Sequence, residues 1–189
     1  MSNISIIYFS GSGHTTKMAE AVKSGAESIS GSEIQLIELS GKDIKEGRWS
    51  NDKILEILDL SDAIIFGTPT YMGNISAQMK AFMEATGDRY FAQKWKNKIA
   101  SAFTVSGGPS GDKLNSLITM GTFAMQHGMI WVGLGLTSVE TDGTNRLGFF
   151  WGAGGQALME PPEEAPNEAD KNTGYKLGAR VAEICLRFD

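Results

Sequence analysis

At 189 residues, 41% of them hydrophobic and 21% charged, the chain suffices for one domain with a sizeable core and is short for two. Seventeen basic against twenty-two acidic side chains leave a formal charge of −5 with no basic run, so neither a nucleic acid nor an anionic membrane surface is an expected partner. No apolar segment is long enough to span a bilayer, no leader pattern precedes the first strand, and the lone Cys185 cannot form an internal disulfide, so a cytoplasmic location is expected.

In chain order, Ile4–Phe9 is a short run of β-branched and aromatic residues that reads as a buried strand. It breaks into Ser10-Gly11-Ser12-Gly13-His14-Thr15-Thr16, and a helical pattern follows through Met18, Val22, Ala26 and Ile29. Strand, hydroxyl-rich turn and helix start together make an anion site. The first-turn N–H groups lack partners, the dipole is positive there, and the glycines allow close backbone approach. Ser10, Ser12, Thr15 and Thr16 add hydroxyl donors, and no Lys or Arg lies in the turn. A P-loop is not expected, because His14 follows Gly13 where lysine is required, and the dinucleotide fingerprint lacks its third glycine at Thr16, although Glu38 does end the second strand. A glycine-rich connection without a ligand stays open at this point.

Glu33–Leu39 reads as a second strand, residues 41–49 as polar loop, and Asn51-Asp52 as the cap of a short helix carrying Ile54, Leu55 and Leu58. Ala63–Phe66 is a continuous apolar run, as for a central parallel strand. It ends in Gly67-Thr68-Pro69-Thr70-Tyr71-Met72-Gly73-Asn74, with Asn74 expected to cap a helix bearing Ile75, Met79, Phe82 and Met83. Ile99–Val105 is the fourth strand and runs into Ser106-Gly107-Gly108-Pro109-Ser110-Gly111-Asp112. The next helix should turn Leu114, Leu117, Ile118, Gly121 and Met125 inward and stop at Gly128, with His127 in its last turn. Met129–Gly135 is the fifth strand. Residues 136–167 read as mostly loop with room for a split edge strand, and residues 169–188 close the chain as an amphipathic helix that buries Cys185.

Strands alternating with helices predict a single α/β domain, a doubly wound five-stranded parallel sheet of order 2-1-3-4-5. In such sheets ligands bind beyond the strands' carboxyl ends, and three glycine-bearing loops (10–16, 67–74 and 106–112) end neighbouring strands. The spacing Ser10, Ser12, Gly13, Thr15 resembles the flavin mononucleotide (FMN) turn of flavodoxins. With Gly67-Thr68-Pro69-Thr70, Gly73-Asn74, Gln78-Met79-Lys80, Ser106-Gly107-Gly108, Gly111 and His127-Gly128-Met129, the chain resembles the WrbA family of flavodoxin-like NAD(P)H:quinone oxidoreductases over most of residues 4–135.

The resemblance implies one non-covalent FMN per subunit, NAD(P)H as co-substrate, a quinone-like acceptor and a homo-oligomer, dimer or tetramer. Ser10, Gly11, Ser12, Gly13, His14 and Thr15 would take the phosphate. Pro69, Thr70, Tyr71, Met72, Gly73 and Asn74 would face one side of the ring system, Ser106, Gly107, Gly108 and Gly111 its pyrimidine edge, and His127 would touch the flavin. Tyr90 would stand at the substrate, where the family has tryptophan; Ser12 and Tyr71-Met72 also depart from the family pattern. Near a helix end, His127 is expected to favour its charged form. Two histidines and one cysteine, far apart in sequence, give no metal constellation. A one-electron flavodoxin carrier and a non-redox binding module are the competing expectations.

Overall fold

The computed structural model describes residues 1–188. Its elements are β1 (Ser2–Tyr8), α1 (His14–Glu27), β2 (Ser32–Glu38), β3 (Ile44–Lys45), β4 (Arg48–Trp49), α2 (Asp52–Leu60), β5 (Ala63–Tyr71), β6 (Asn74–Ile75), α3 (Ala77–Glu84), α4 (Gly87–Phe91), β7 (Ile99–Ser106), α5 (Lys113–Gln126), β8 (Ile130–Trp131), β9 (Ala153–Gln156) and α6 (Glu168–Cys185).

The main sheet runs β2-β1-β5-β7-β8, all parallel, with β9 also parallel to β7 and β6 folded back on β5. Counted by main strands this is the expected order, 2-1-3-4-5. Period-two alternation divides the core. Ile4, Ile6 and Tyr8 of β1 meet α1 and α6, whereas Ile7, with Ile64 and Phe66 of β5, meets α2, α3 and α5. Phe66 and Phe103 are fully buried on opposite faces, and truncating either to alanine should cost about 3–5 kcal/mol. Helices α1 and α6 touch backbone to backbone: a Cβ at Gly25 would overlap the Tyr175 carbonyl, and one at Gly178 the Val22 carbonyl.

The fifth strand is split. β8 pairs with the start of β7 at Ile99 and Ala100, and β9 with its end, Phe103 to Ser106. After Val132 N–H bonds the Ala100 carbonyl, the chain leaves the ladder, and Leu134 N–H bonds the Phe150 carbonyl instead. The expected strand over Met129–Gly135 is therefore only Ile130–Trp131, and Ala153-Gly154-Gly155-Gln156 completes it. A side chain at Gly152 would overlap the Ala102 carbonyl and one at Gly154 the Phe149 ring. Only glycine lets this segment dock, and glycine carries no periodic signal.

Other expectations need correction. Residues 41–49 hold a short turn (Gly41–Asp43) and the β3–β4 hairpin, which buries Trp49 edge-on to Phe82 at 5.3 Å. Asn51 caps α2 as expected, accepting from Ile54 N–H at 3.3 Å. For α3 the cap is Ser76, which accepts from Met79 N–H at 3.2 Å; Asn74 lies in the β5–β6 hairpin. The buried stripe of α5 includes Lys113, Ser116, Leu117, Met120 and Ala124, leaving Leu114, Ile118 and Met125 exposed. A buried lysine opens that stripe, so apolar spacing alone read its phase wrongly. The last helix ends at Cys185, which is buried, and Phe188 is exposed.

Candidate functional site

Parallel pairing sets the carboxyl ends of β1, β5, β7 and β9 side by side along one rim of the sheet. Three of the loops there are those read from the sequence. The fourth, residues 157–163, follows β9 and went unread because residues 136–167 have no period.

In the first loop, Ser10 Oγ accepts from the N–H groups of Gly13 at 3.0 Å and Thr16 at 3.4 Å, which leaves its own hydroxyl proton free to donate. Gly13 holds φ +92°, and a Cβ there would also press on Pro162. Ser12 Oγ meets His14 Nδ1 at 3.0 Å, and His14 Nε2 donates to the Glu160 carbonyl at 2.7 Å, so the fourth loop fixes this imidazole. Thr15 is buried. The N-cap of α1 is Gly13, which has no side chain to cap it, and no acid stands in the first turn. The positive end of the helix is therefore left for an external anion.

In the second loop, β5 runs through Pro69 to Tyr71, then turns at Met72 and Gly73, φ +48° and +80°. The buried Thr70 hydroxyl bonds Thr104 and Ser116, each at 2.8 Å. The Gly73 carbonyl accepts from Asn115 Nδ2 at 2.8 Å and Asn74 Oδ1 from Thr119 Oγ1 at 3.1 Å, so α5 pins this hairpin. Tyr71 lies across Gly11, where any Cβ would strike its hydroxyl, and Met72 is fully exposed.

The third loop is gripped from beneath. The Ser106 carbonyl accepts from Ala157 N–H at 3.1 Å, the Gly107 carbonyl from Gln156 Nε2 at 3.2 Å, and the Gly108 carbonyl from Lys113 Nζ at 2.6 Å. In a trans peptide the carbonyl and the following N–H point in opposite directions. With the Ser106 and Gly107 carbonyls turned toward β9, the N–H groups of Gly107 and Gly108 face away from it. Gly111 needs its φ of +53°, and a Cβ there would strike Ser106 Oγ. Exposed Leu158 and Met159 of the fourth loop add apolar surface, Leu158 lying over Gly107.

Beneath the rim, Asp170 is buried and held by Arg146 at 2.8 and 2.9 Å, and it also accepts from Gln156 N–H at 2.9 Å. Lys113 is fully buried, and desolvation pushes its pKa down to about 8. Sequence reasoning missed both residues, since a charged side chain is normally read as exposed.

His127 and Tyr90 are not brought to the rim. Helix α5 starts at the rim and runs 14 residues, about 20 Å, to His127 beside the amino end of β7. There His127 packs 4.7 Å from both Trp95 and Phe123, and shares with Tyr90 the lining of a separate cavity of about 480 Å³. Thr86 Oγ1 donates to the Met83 carbonyl and lies 3.0 Å from His127 Nε2, so Nε2 carries the proton. Nδ1 is buried without a hydrogen-bond partner among the described residues. Burial pushes this histidine down to about 4, against the charged form expected from its helix end. His127 thus lies at the opposite end of α5 from the rim loops.

A parallel sheet of order 2-1-3-4-5, with an uncapped helix start and two glycine loops where its winding reverses, defines a flavodoxin-like protein. The family described as NADPH-dependent FMN reductase matches residues 4–142, and the chain belongs to it. It is 38% identical to flavodoxin FldP of Pseudomonas aeruginosa over 97% of both chains, and 32% identical to an NAD(P)H dehydrogenase (quinone) of Geobacter sulfurreducens over 99% of both. A crystal structure of a flavodoxin, WrbA-like protein from Agrobacterium tumefaciens superposes with a TM-score of 0.77 at 36% identity, covering both chains fully. The protein is an FMN-dependent oxidoreductase.

The rim fits that cofactor. An acid-free, uncapped helix start suits a phosphate, the exposed apolar side chains of Tyr71, Met72 and Leu158 suit a flat ring system, and the N–H groups of Gly107 and Gly108 suit ring acceptors.

Proposed function

We propose that this rim holds FMN and that the loaded protein passes two electrons from NAD(P)H to a quinone. In balance, NAD(P)H, a proton and a quinone give NAD(P)+ and a hydroquinone. When bound, the flavin supplies the electron transfer itself. Residues 10–15 take the phosphate on the α1 dipole and the Ser10, Ser12 and Thr15 hydroxyls. Residues 69–74 support one face of the ring, and the N–H groups of Gly107 and Gly108 donate to its pyrimidine edge, where negative charge gathers on reduction. The observation that carries this reading is the inward turn of the Ser106 and Gly107 carbonyls toward Ala157 and Gln156.

An absorbance scan of the protein with and without FMN, then with NADPH and benzoquinone, tests it. Retained yellow colour, bleaching by NADPH and recovery on adding quinone are expected. A protein that stays colourless and keeps its melting temperature when FMN is added would sink the reading.

The 38% identity to a flavodoxin supports a second reading, a one-electron carrier. A long-lived one-electron-reduced state with no NAD(P)H turnover would favour it. We also read the chain as a cytoplasmic homo-oligomer. Phe91 is 83% exposed and Met125 49%, an apolar surface around α4 and α5 that a second copy would cover. Light scattering of the purified protein reports the assembly.

A further inference from the structure

Lys113 is the first residue of α5, and its side chain is 0% exposed. Its Nζ donates to Ser106 Oγ at 2.7 Å and to the Gly108 carbonyl at 2.6 Å, and it stands 5.8 Å from the Phe149 ring centroid. Burying an ammonium is costly, and a neutral donor could tie the same loop. Two charged groups act on it, Asp170 from α6 and Arg146 from the segment between β8 and β9. Arg146 already binds both oxygens of Asp170, so that carboxylate is spoken for. Neighbouring Asp112 is exposed. The ammonium is thus a positive charge without a counter-ion of its own, sealed under the loop that faces the pyrimidine edge in the reading above.

We propose that Lys113 is a positioning residue that both closes the 106–111 loop and sets a fixed positive charge beneath it, so that the protein binds anionic, two-electron-reduced FMN in preference to oxidised FMN. This rests on the rim being the FMN site. With its pKa near 8, the amine keeps most of its charge at neutral pH.

The test is the affinity of the protein, freed of flavin, for oxidised FMN and, anaerobically, for dithionite-reduced FMN. In Lys113→Met and Lys113→Gln, the ratio of reduced to oxidised dissociation constants should rise about tenfold or more. Equal weakening of both forms, or no change in the ratio, overturns the charge role, because loss of loop positioning alone affects both forms alike. Failure of the wild type to bind oxidised FMN at all would instead defeat the underlying reading. Should the variants not fold, the wild type decides between about pH 7 and about pH 9, the range across which the Lys113 ammonium loses its proton. Affinity for reduced FMN should fall there while that for oxidised FMN holds; parallel curves overturn the proposal.

Discussion

The guanidinium of Arg146 closes on the carboxylate of Asp170 with two hydrogen bonds, 2.8 and 2.9 Å long. Asp170 is 1% exposed, and its second oxygen also takes the Gln156 N–H, whose own side chain holds the Gly107 carbonyl. An ion pair beneath the sheet rim is thereby coupled to the loop above it.

Removing one partner should show that coupling. Arg146→Ala leaves a buried carboxylate unpaired and should cost about 2–4 kcal/mol, toward the lower end because Arg146 is itself a third exposed. Chemical denaturation measures the loss. FMN affinity should fall with it, and an unchanged affinity would mean that the Gly107 peptide does not depend on the pair.

Ser12 stands exposed in the loop proposed to hold the phosphate, its Oγ 3.0 Å from His14 Nδ1. Ser12→Asp puts a like charge beside the phosphate, and FMN affinity should drop about tenfold or more at low salt, less at high salt. Titration by flavin fluorescence checks it. Equal affinity would place the phosphate elsewhere.

Gly178 has no room for a methyl group, because α1 runs against it at the Val22 carbonyl. Gly178→Ala should destabilise by about 1–3 kcal/mol and lower the Tm by several degrees. The rim is not involved, so the flavin spectrum of the folded fraction should match the wild type.

His127 predicts an acid limb in the stability curve. Its folded pKa, about 4, lies below the ordinary value of 6.5, so the unfolded chain binds the proton more readily. Stability is full above pH 6.5 and is lost as pH falls toward 4, by about 3 kcal/mol in all. Denaturant melts of the wild type and His127→Gln across that window should diverge at high pH and converge at low pH. Parallel curves would show that the ring titrates normally.

Much of this molecule was legible before its structure. Ile4–Phe9, Ala63–Phe66 and Ile99–Val105 announce buried parallel strands because each is apolar on both faces. The Ser10–Thr16 turn announces an anion because hydroxyls, glycines and a helix start act over a few consecutive residues. Local chemistry of this kind is written in consecutive letters.

Other features depend on residues far apart in the chain. Nothing near Lys113 in sequence says that it is buried under Ser106 and Gly108, and nothing near Asp170 says that Arg146 will hold it from 24 residues away. The β9 segment docks only because Gly152, just before it, and Gly154, within it, carry no side chain to meet the Ala102 carbonyl and the Phe149 ring. His127 follows the same logic: its helix end favours a proton, but Trp95 and Phe123 exclude the water that would solvate the charge, and desolvation prevails. Sequence alone determined the sheet, its winding and the strand-turn-helix at Ser10–Thr16, since these follow from short-range pattern. Tertiary packing decided which polar groups are buried and hence which charges lie beneath the site, because burial is set by neighbours that meet only once the chain has folded.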